Sequence, residues 1–172
     1  MQSKPPYLAG ARRRKAGMRG DRNGNLKLLA VASGGGHWDE LMLLRSALEP
    51  FEVTYVTTNP LLPVRDGIAD ANILPDSNRD QLLGSLRCLM ASFKLIKRYR
   101  PDVVLTTGAL PGLFCIVLAR LFGAKTIWVD SIANWDEPSL SGRVARPFTS
   151  LWLTQWPHLA DGRSKLYGGA LL

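Results

Sequence analysis

The sequence of 172 residues contains few of the residue types that build disulfides and metal sites. Its two cysteines, Cys88 and Cys115, are too few for a disulfide framework, and both lie in apolar stretches that indicate buried thiols. Two cysteines and two histidines without zinc-type spacing predict no metal site. No apolar run reaches the ~18 to 20 residues of a membrane span, and the amino-terminal end contains no apolar segment of a secretory signal.

The net charge of +8 is concentrated at the amino-terminal end of the chain. Residues 1–25 contain seven basic residues and one acidic residue, whereas the rest contains 15 basic and 13 acidic residues. We therefore expect a disordered basic tail over 1–25 and a nearly neutral folded domain over 26–172. Such a tail suits anionic lipid or nucleic acid about equally well, or is only a solvated leader. Because the domain offers no basic groove, we expect no nucleic-acid partner.

Beyond the tail, short apolar runs alternate with helical patterns. The predicted strands are rich in apolar and β-branched residues and cover 26–33, 52–57, a short stretch near 73–74, 102–107, 125–130 and, as the last strand, 150–154. The predicted helices follow the 3.6-residue period and cover 37–48, 80–99 and, after a glycine turn at 108–113, a stretch that ends at Phe122. Residues 58–78 are predicted to form a long loop. This alternation predicts an α/β fold, a Rossmann-like parallel sheet with helices on both faces.

A glycine turn, Gly34-Gly35-Gly36, follows the first predicted strand and leads into a helix that starts near His37. Open α/β sheets bind ligands at the carboxyl ends of their strands, and glycines let backbone amides approach a phosphate closely. The turn matches neither the dinucleotide motif nor the P-loop, so no cofactor is predicted. At a helix amino terminus the dipole disfavours the cationic form, which is consistent with a neutral imidazole able to accept a proton. The alternative is that His37 only caps the turn.

Two later strands also end in candidate site residues. Gly108 follows one of these strands, and Asp130-Ser131 follows the next. Because parallel strands end at the same edge, we expect these residues to form a cleft with the glycine turn. Arg143 offers forked donors that could bind phosphate, or it is an ordinary surface arginine. The acidic residues Asp39 and Glu40 are interpreted as structural, because acidic side chains favour the first turn of a helix.

Four segments occur in one order and are followed by Tyr167-Gly168-Gly169. They are Gly34-Gly35-Gly36-His37, Tyr55-Val56-Thr57-Thr58, Ser139-Leu-Ser-Gly-Arg143 and Gln155-Trp156-Pro157. The set resembles the membrane-associated acceptor subunit of the two-part dolichol-pathway N-acetylglucosaminyltransferase, and most closely the bacterial PssD-like exopolysaccharide glycosyltransferase subunits. The resemblance covers about 26–172. A weaker similarity, through the Gly-Gly-His turn, is to the amino-terminal half of MurG.

The resemblance implies one half of a split GT-B glycosyltransferase, peripheral to the cytoplasmic face of the inner membrane. This half would bind a polyprenyl-diphosphate-linked saccharide, and the chain would end near the point where a GT-B protein crosses into its second domain. A separate PssE-like subunit would bind the UDP-sugar, with glucuronic acid or N-acetylglucosamine as the sugar, and this chain would be inactive without it. The alternative is a non-catalytic membrane scaffold that recruits and activates a partner glycosyltransferase.

The same resemblance assigns roles to residues of the predicted cleft. His37 would be the catalytic base or a contact of the acceptor hydroxyl, and Gly34, Gly35 and Gly36 would cradle the acceptor's phosphates or sugar. We place Gly108 and Ser131 in the same acceptor site and add Arg143 as a diphosphate contact. The eukaryotic relatives begin with a transmembrane helix, and we expect the basic tail to take its place here. Membrane attachment would therefore use the tail and the cationic helix of 80–99, with the apolar helix of 110–122 as another contact.

Overall fold

The fold is that of a computed structural model, which describes residues 26–77 and 82–171. The predicted tail of 1–25 and the first two residues of the predicted helix of 80–99 lie outside the described residues. The described chain contains one seven-stranded sheet in which every pairing is parallel. Its strands are β1 (Lys27–Val31), β2 (Glu52–Thr57), β3 (Asn72–Ile73), β4 (Val103–Thr106), β5 (Lys125–Val129), β6 (Leu151–Thr154) and β7 (Lys165–Tyr167). The predicted Rossmann-like sheet is confirmed.

Helices cover both faces of this sheet. They are α1 (Gly36–Leu43), α2 (Arg45–Leu48), α3 (Leu61–Arg65), α4 (Leu82–Tyr99), α5 (Ala109–Leu121) and α6 (Leu140–Ala145), with short 3₁₀ turns at Arg146–Phe148 and Pro157–Leu159. Successive side chains of β1 point to opposite faces. Leu29 belongs to a core with α4 and α5, and Leu28 to a second core with α1. Both faces are buried, which explains the continuous apolar runs of the strands.

The strand order β3-β2-β1-β4-β5-β6-β7 reverses direction between β1 and β4. In open parallel sheets, such a switch point leaves a crevice outside the carboxyl ends of the two strands. The glycine turn after β1 and the residues after β4 therefore border one crevice.

Four predictions about the elements are corrected by the structure. The helix expected over 37–48 is interrupted at Leu44. The N–H of Leu44 donates a hydrogen bond to the carbonyl of Leu41, which closes a tight last turn of α1. The loop expected over 58–78 contains α3, which follows Pro60. At its start, Asn59 Oδ1 accepts a hydrogen bond of 3.0 Å from the Leu61 N–H. Helix α5 begins at Ala109, so Pro111 lies in its first turn, where a missing N–H costs no helical bond.

The fourth correction concerns the carboxyl-terminal part of the chain. The strand over 150–154 is not the last, because β7 pairs with β6 along Lys165–Tyr167. This strand has only three residues and lies at the edge of the sheet, so its sequence carries no buried apolar run. Between β5 and β6, where no helix was predicted, the chain forms α6. Ser139 caps that helix by accepting a hydrogen bond from the Gly142 N–H at 3.0 Å.

Candidate functional site

His37 lies in the first turn of α1, at the crevice between β1 and β4. Its backbone carbonyl accepts a hydrogen bond of 2.7 Å from the hydroxyl of Thr107, which follows β4. Its imidazole packs directly on Gly108, where a Cβ would lie 2.8 Å from Cε1 and 3.1 Å from Nδ1. Thus two consecutive residues after β4 fix the backbone and the ring of this histidine.

The backbone that contacts the imidazole is strained. Gly108 has φ +133°, and Ala109 has φ +62°, a left-handed conformation that is costly for a residue with a side chain. The Gly108 N–H donates to the hydroxyl of Thr106 at 3.1 Å, which stabilises the turn. Strain of this kind is held by surrounding structure and is concentrated at functional sites.

Glu40, one turn after His37 on α1, is buried with 4% exposure. Its Oε1 accepts two hydrogen bonds of 2.8 Å, from the Ser131 hydroxyl and from the Ile132 N–H, both in the loop after β5. Its Oε2 lies 3.9 Å from His37 Nδ1. The carboxylate therefore joins α1 to the β5 loop and faces the imidazole.

The structure thus brings together three of the predicted site residues: Gly108 packs on His37, and Glu40 lies between His37 and Ser131. The sequence analysis did not predict Glu40 as a site residue, because it attributed this acidic side chain to the helix dipole. The dipole does not explain why the carboxylate is buried. A usable signal was present in its spacing: residues three apart lie on the same face of a helix, so Glu40 had to be near His37. The neighbouring Asp39 is exposed and pairs with Arg65 at 2.6 Å.

The three glycines of the turn have different environments. The Gly34 N–H donates to the Thr58 hydroxyl at 3.1 Å, so this amide is already engaged. Gly35 takes φ +69° at the start of α1, and Gly36 is the first helical residue. Among the described residues, no side chain caps this helix. Beside Gly34 opens a polar cavity of ≈ 430 Å³, lined by Ser33, Gly34, Thr58, Asn59, Pro60 and Asp76.

Arg143 is placed apart from this cluster. It lies on α6, and its guanidinium is half exposed, 3.5 Å from the carboxylate of Glu137. It lines a cavity of ≈ 350 Å³ between α6 and the segment 133–140. The structure does not bring Arg143 to His37, and its role as a diphosphate contact stays a prediction.

Asp130, at the end of β5, is fully buried and faces away from the crevice cluster. Its two carboxylate oxygens accept hydrogen bonds from the indoles of Trp128 at 2.8 Å and Trp152 at 2.7 Å. Burial raises the pKa of Asp130 above its usual value, and the two indole hydrogen bonds oppose that shift. Gly142 of α6 packs on this group, since a Cβ there would lie 3.3 Å from Asp130 Oδ1.

The Gln155-Trp156-Pro157 segment holds the same β5 loop from the other side. Gln155 donates to the Asp130 carbonyl at 3.0 Å, and its own amide oxygen accepts from the Leu171 N–H at 3.0 Å. The Trp156 indole donates to the Ile132 carbonyl at 2.9 Å. This segment, one of those that carried the family resemblance, therefore supports the loop that contacts Glu40.

In 26–77 and 82–171, no group of three or more His, Cys, Asp or Glu side chains is arranged to hold a metal ion. No helix in that part of the chain has the length and apolar character needed to cross a bilayer.

Comparison with protein families assigns the chain to a family. A family described as "Oligosaccharide biosynthesis protein Alg14 like" matches residues 71–171, more than half of the chain. The chain belongs to the Alg14-like family. The matched region contains β4, β5 and β6 together with Ser131 and both the Ser-Leu-Ser-Gly and Gln-Trp-Pro segments.

Individual relatives agree with this Alg14-like assignment. The protein named UDP-N-acetylglucosamine transferase subunit ALG14 of Yarrowia lipolytica is 24% identical, with 81% of this chain and 78% of the relative covered. The mouse protein of the same name is 26% identical, with 80% and 78% covered. That of Schizosaccharomyces pombe is 40% identical over 65 residues, 35% of this chain and 31% of the relative.

Solved structures share the fold of this Alg14-like chain at low sequence identity. MurG of Acinetobacter baumannii superposes with a TM-score of 0.69 at 12% identity, covering 84% of this chain and 45% of MurG. UDP-N-acetylglucosamine 2-epimerase of Rickettsia bellii gives a TM-score of 0.67 at 10% identity, with 86% and 45% covered. The chain thus spans less than half of each of these proteins, and the likeness confirms the expected fold, equivalent to one Rossmann-like half of a GT-B glycosyltransferase.

Proposed function

We propose that this chain is the acceptor-binding subunit of a two-component glycosyltransferase. The complex would transfer a sugar from a UDP-sugar to a polyprenyl-diphosphate-linked saccharide, in lipid-linked oligosaccharide or exopolysaccharide synthesis of the PssD-like kind. The observation that carries the proposal is the placement of His37 at the switch-point crevice, braced by Gly108 and by Glu40. Membership of the Alg14-like family supports the reaction class, because the relatives are named as subunits of a UDP-N-acetylglucosamine transferase.

The reaction is a direct displacement at the anomeric carbon. His37 takes the proton of the acceptor hydroxyl while the hydroxyl oxygen forms its bond to the sugar carbon. The bond from that carbon to the diphosphate breaks, and its electron pair leaves with UDP. A histidine general base is suited to this step because an imidazole can accept a proton near neutral pH.

The donor site is assigned to a partner subunit, which the sequence resemblance describes as PssE-like. The observation that supports a partner is that the relatives are named as subunits of a UDP-N-acetylglucosamine transferase. Their name also makes N-acetylglucosamine the first candidate donor sugar, and glucuronic acid is the second.

We propose that α4 attaches the complex to the membrane surface. Five apolar side chains on α4 are exposed, Leu82, Leu83, Leu86, Met90 and Phe93. Phe93 contacts Phe122 after α5 with ring centroids 5.9 Å apart, which extends the apolar surface. Exposed cationic residues on the same helix are Arg87, Lys94, Lys97 and Arg98. An exposed apolar strip with adjacent positive charge is typical of helices that lie on anionic bilayers.

The experiment measures transfer of radiolabelled sugar from UDP-N-acetylglucosamine and from UDP-glucuronic acid to a native lipid-linked acceptor. The chain is assayed alone and after co-expression with the product of the adjacent reading frame. The proposal predicts transfer only when both subunits are present. Transfer by this chain alone would contradict the two-component proposal. Absence of transfer from an intact complex with a validated acceptor would favour a non-catalytic scaffold.

A further inference from the structure

The imidazole of His37 and the carboxylate of Glu40 present two complementary atoms to each other. Among the described residues, His37 Nδ1 and Glu40 Oε2 are both buried and neither has a hydrogen-bond partner. They lie 3.9 Å apart. A buried polar atom without a partner is costly, so two such atoms in proximity indicate a hydrogen bond that forms in another state of the site.

The other oxygen of the carboxylate cannot serve this purpose because it is already occupied. Oε1 accepts from Ser131 and Ile132, which fixes the carboxylate plane and leaves Oε2 directed to the ring. The imidazole is also held by its packing on Gly108. A distance of 3.9 Å exceeds a hydrogen bond, but catalytic hydrogen bonds are often long before the substrate binds and then shorten.

We propose that Glu40 is a positioning residue that accepts the Nδ1–H of His37, so that Nε2 is the nitrogen that takes the acceptor's proton. The carboxylate selects the tautomer with a free Nε2 and stabilises the imidazolium once the proton has been transferred. The role of Nε2 in taking the acceptor's proton rests on the proposed function. The predicted Nδ1–H tautomer of His37 does not. Nδ1 is enclosed, so Nε2 is the ring nitrogen left for a bound acceptor.

No other charged group of the described chain competes for this role. On α1, Asp39 is turned to Arg65. From the loop after β4, Thr107 and Gly108 face His37, and from the loop after β5 Ser131 faces Glu40; all three are uncharged. Of the described side chains, Glu40 alone places a carboxylate within 4.0 Å of the imidazole.

The test is the ¹⁵N spectrum of the histidine rings in the full chain, recorded at a pH at which imidazole is neutral. The sequence contains two histidines, and a His158→Gln variant assigns the signals. We expect His37 to carry its proton on Nδ1. In Glu40→Gln, the amide oxygen retains the bonds from Ser131 and Ile132, and the amide nitrogen faces Nδ1 as a donor. The proton of His37 should then move to Nε2.

Two further variants separate positioning from packing. Asp39→Asn removes an exposed carboxylate from the same helix and should leave the wild-type tautomer. Glu40→Asp keeps the charge and should retain the Nδ1–H tautomer, which provides the test if Glu40→Gln does not fold. In the reconstituted transferase, Glu40→Gln should lower kcat by about 10²–10⁴-fold, the range of a lost general base, with little change in acceptor KM.

The inference is overturned if wild-type His37 carries its proton on Nε2, or if Glu40→Gln leaves the tautomer on Nδ1. A purely structural Glu40 would give that second result, because glutamine still accepts the two bonds from the β5 loop. A switch of tautomer supports the inference whatever the transfer assay shows. Failure of the transferase proposal is therefore distinguishable, since it would appear only as absent transfer by the wild-type complex.

Discussion

Gly108 packs against His37 so closely that a Cβ at position 108 would lie 2.8 Å from the imidazole Cε1. With φ +133°, this residue also has a backbone conformation that L side chains rarely adopt. A glycine is required here for two reasons, and only one of them concerns the histidine.

Replacement of Gly108 by alanine should separate these two reasons. We expect Gly108→Ala to displace the imidazole and to reduce transfer by the reconstituted complex about 10-fold or more, an effect comparable to a misplaced catalytic group. Backbone strain should lower stability by about 1–3 kcal/mol, measured by urea unfolding. The matched control is Gly123→Ala, which has φ +87° and open space around its Cβ. It should lose stability but keep its activity; equal losses of activity in both would contradict the account.

Substitution of His37 distinguishes the proposal that this chain takes part in catalysis from the alternative that it is a non-catalytic scaffold. His37→Ala should lower transfer by about 10²–10⁴-fold, because the acceptor hydroxyl loses its base. Co-purification with the partner subunit should be unchanged. His158→Gln is the control, since this ring contacts the Trp135 carbonyl and Trp156 outside the crevice cluster. Unchanged turnover in His37→Ala would favour the scaffold.

Asp130 should make stability depend on pH in a direction unusual for a carboxylate. Its pKa is raised in the folded state, chiefly by burial. Between the unfolded pKa of about 3.9 and the higher folded value, the folded chain therefore binds more protons, and stability falls as pH rises through this window. Asp130→Asn lacks that component and loses one of two indole hydrogen bonds, costing about 1–3 kcal/mol.

The measurement for Asp130 is urea unfolding of both proteins across this pH window. The stability difference between wild type and Asp130→Asn should be largest at the acid end and smaller near neutral pH. A difference that widens as pH rises would show that the folded-state pKa of Asp130 is lowered instead, and the account of its burial would be wrong.

The apolar surface of α4 should govern binding to lipid vesicles. Leu86→Ser combined with Phe93→Ser should weaken binding of the full chain to vesicles of phosphatidylglycerol and phosphatidylcholine by about tenfold or more, as expected from the lost apolar burial. Added salt should weaken wild-type binding because charge contributes. The control combines Leu61→Ser with Val64→Ser on α3, which are exposed but distant in sequence. Equal losses in the two double variants would contradict an α4 contact.

The strands could be predicted because both faces of the sheet are covered, which requires continuous apolar runs such as β1. The convergence of His37, Gly108 and Ser131 followed from the parallel arrangement alone. Cys88 and Cys115 are both buried, as their apolar surroundings predicted. Burial raises the pKa of the Cys115 thiol to about 12.

Other features depend on contacts that no local pattern records. Strand β7 is formed by pairing with β6, since Lys165–Tyr167 is short and largely exposed. The burial of Glu40 requires the β5 loop, whose Ser131 is 91 residues away in the sequence. One signal of helix α6 is present in the sequence, since Ser139 is a residue type that caps helices and here accepts from the Gly142 N–H. The helix has only six residues, too few to show a helical period.

The most direct test of the central claim is ligand binding by this chain in isolation. Calorimetric titration would use a short-chain polyprenyl-diphosphate-linked monosaccharide as the acceptor and UDP-N-acetylglucosamine as the donor. The account predicts that the chain binds the acceptor, that His37→Ala retains most of this affinity, and that the donor is not bound. Binding of the donor without the acceptor would contradict the assignment of this chain to the acceptor side.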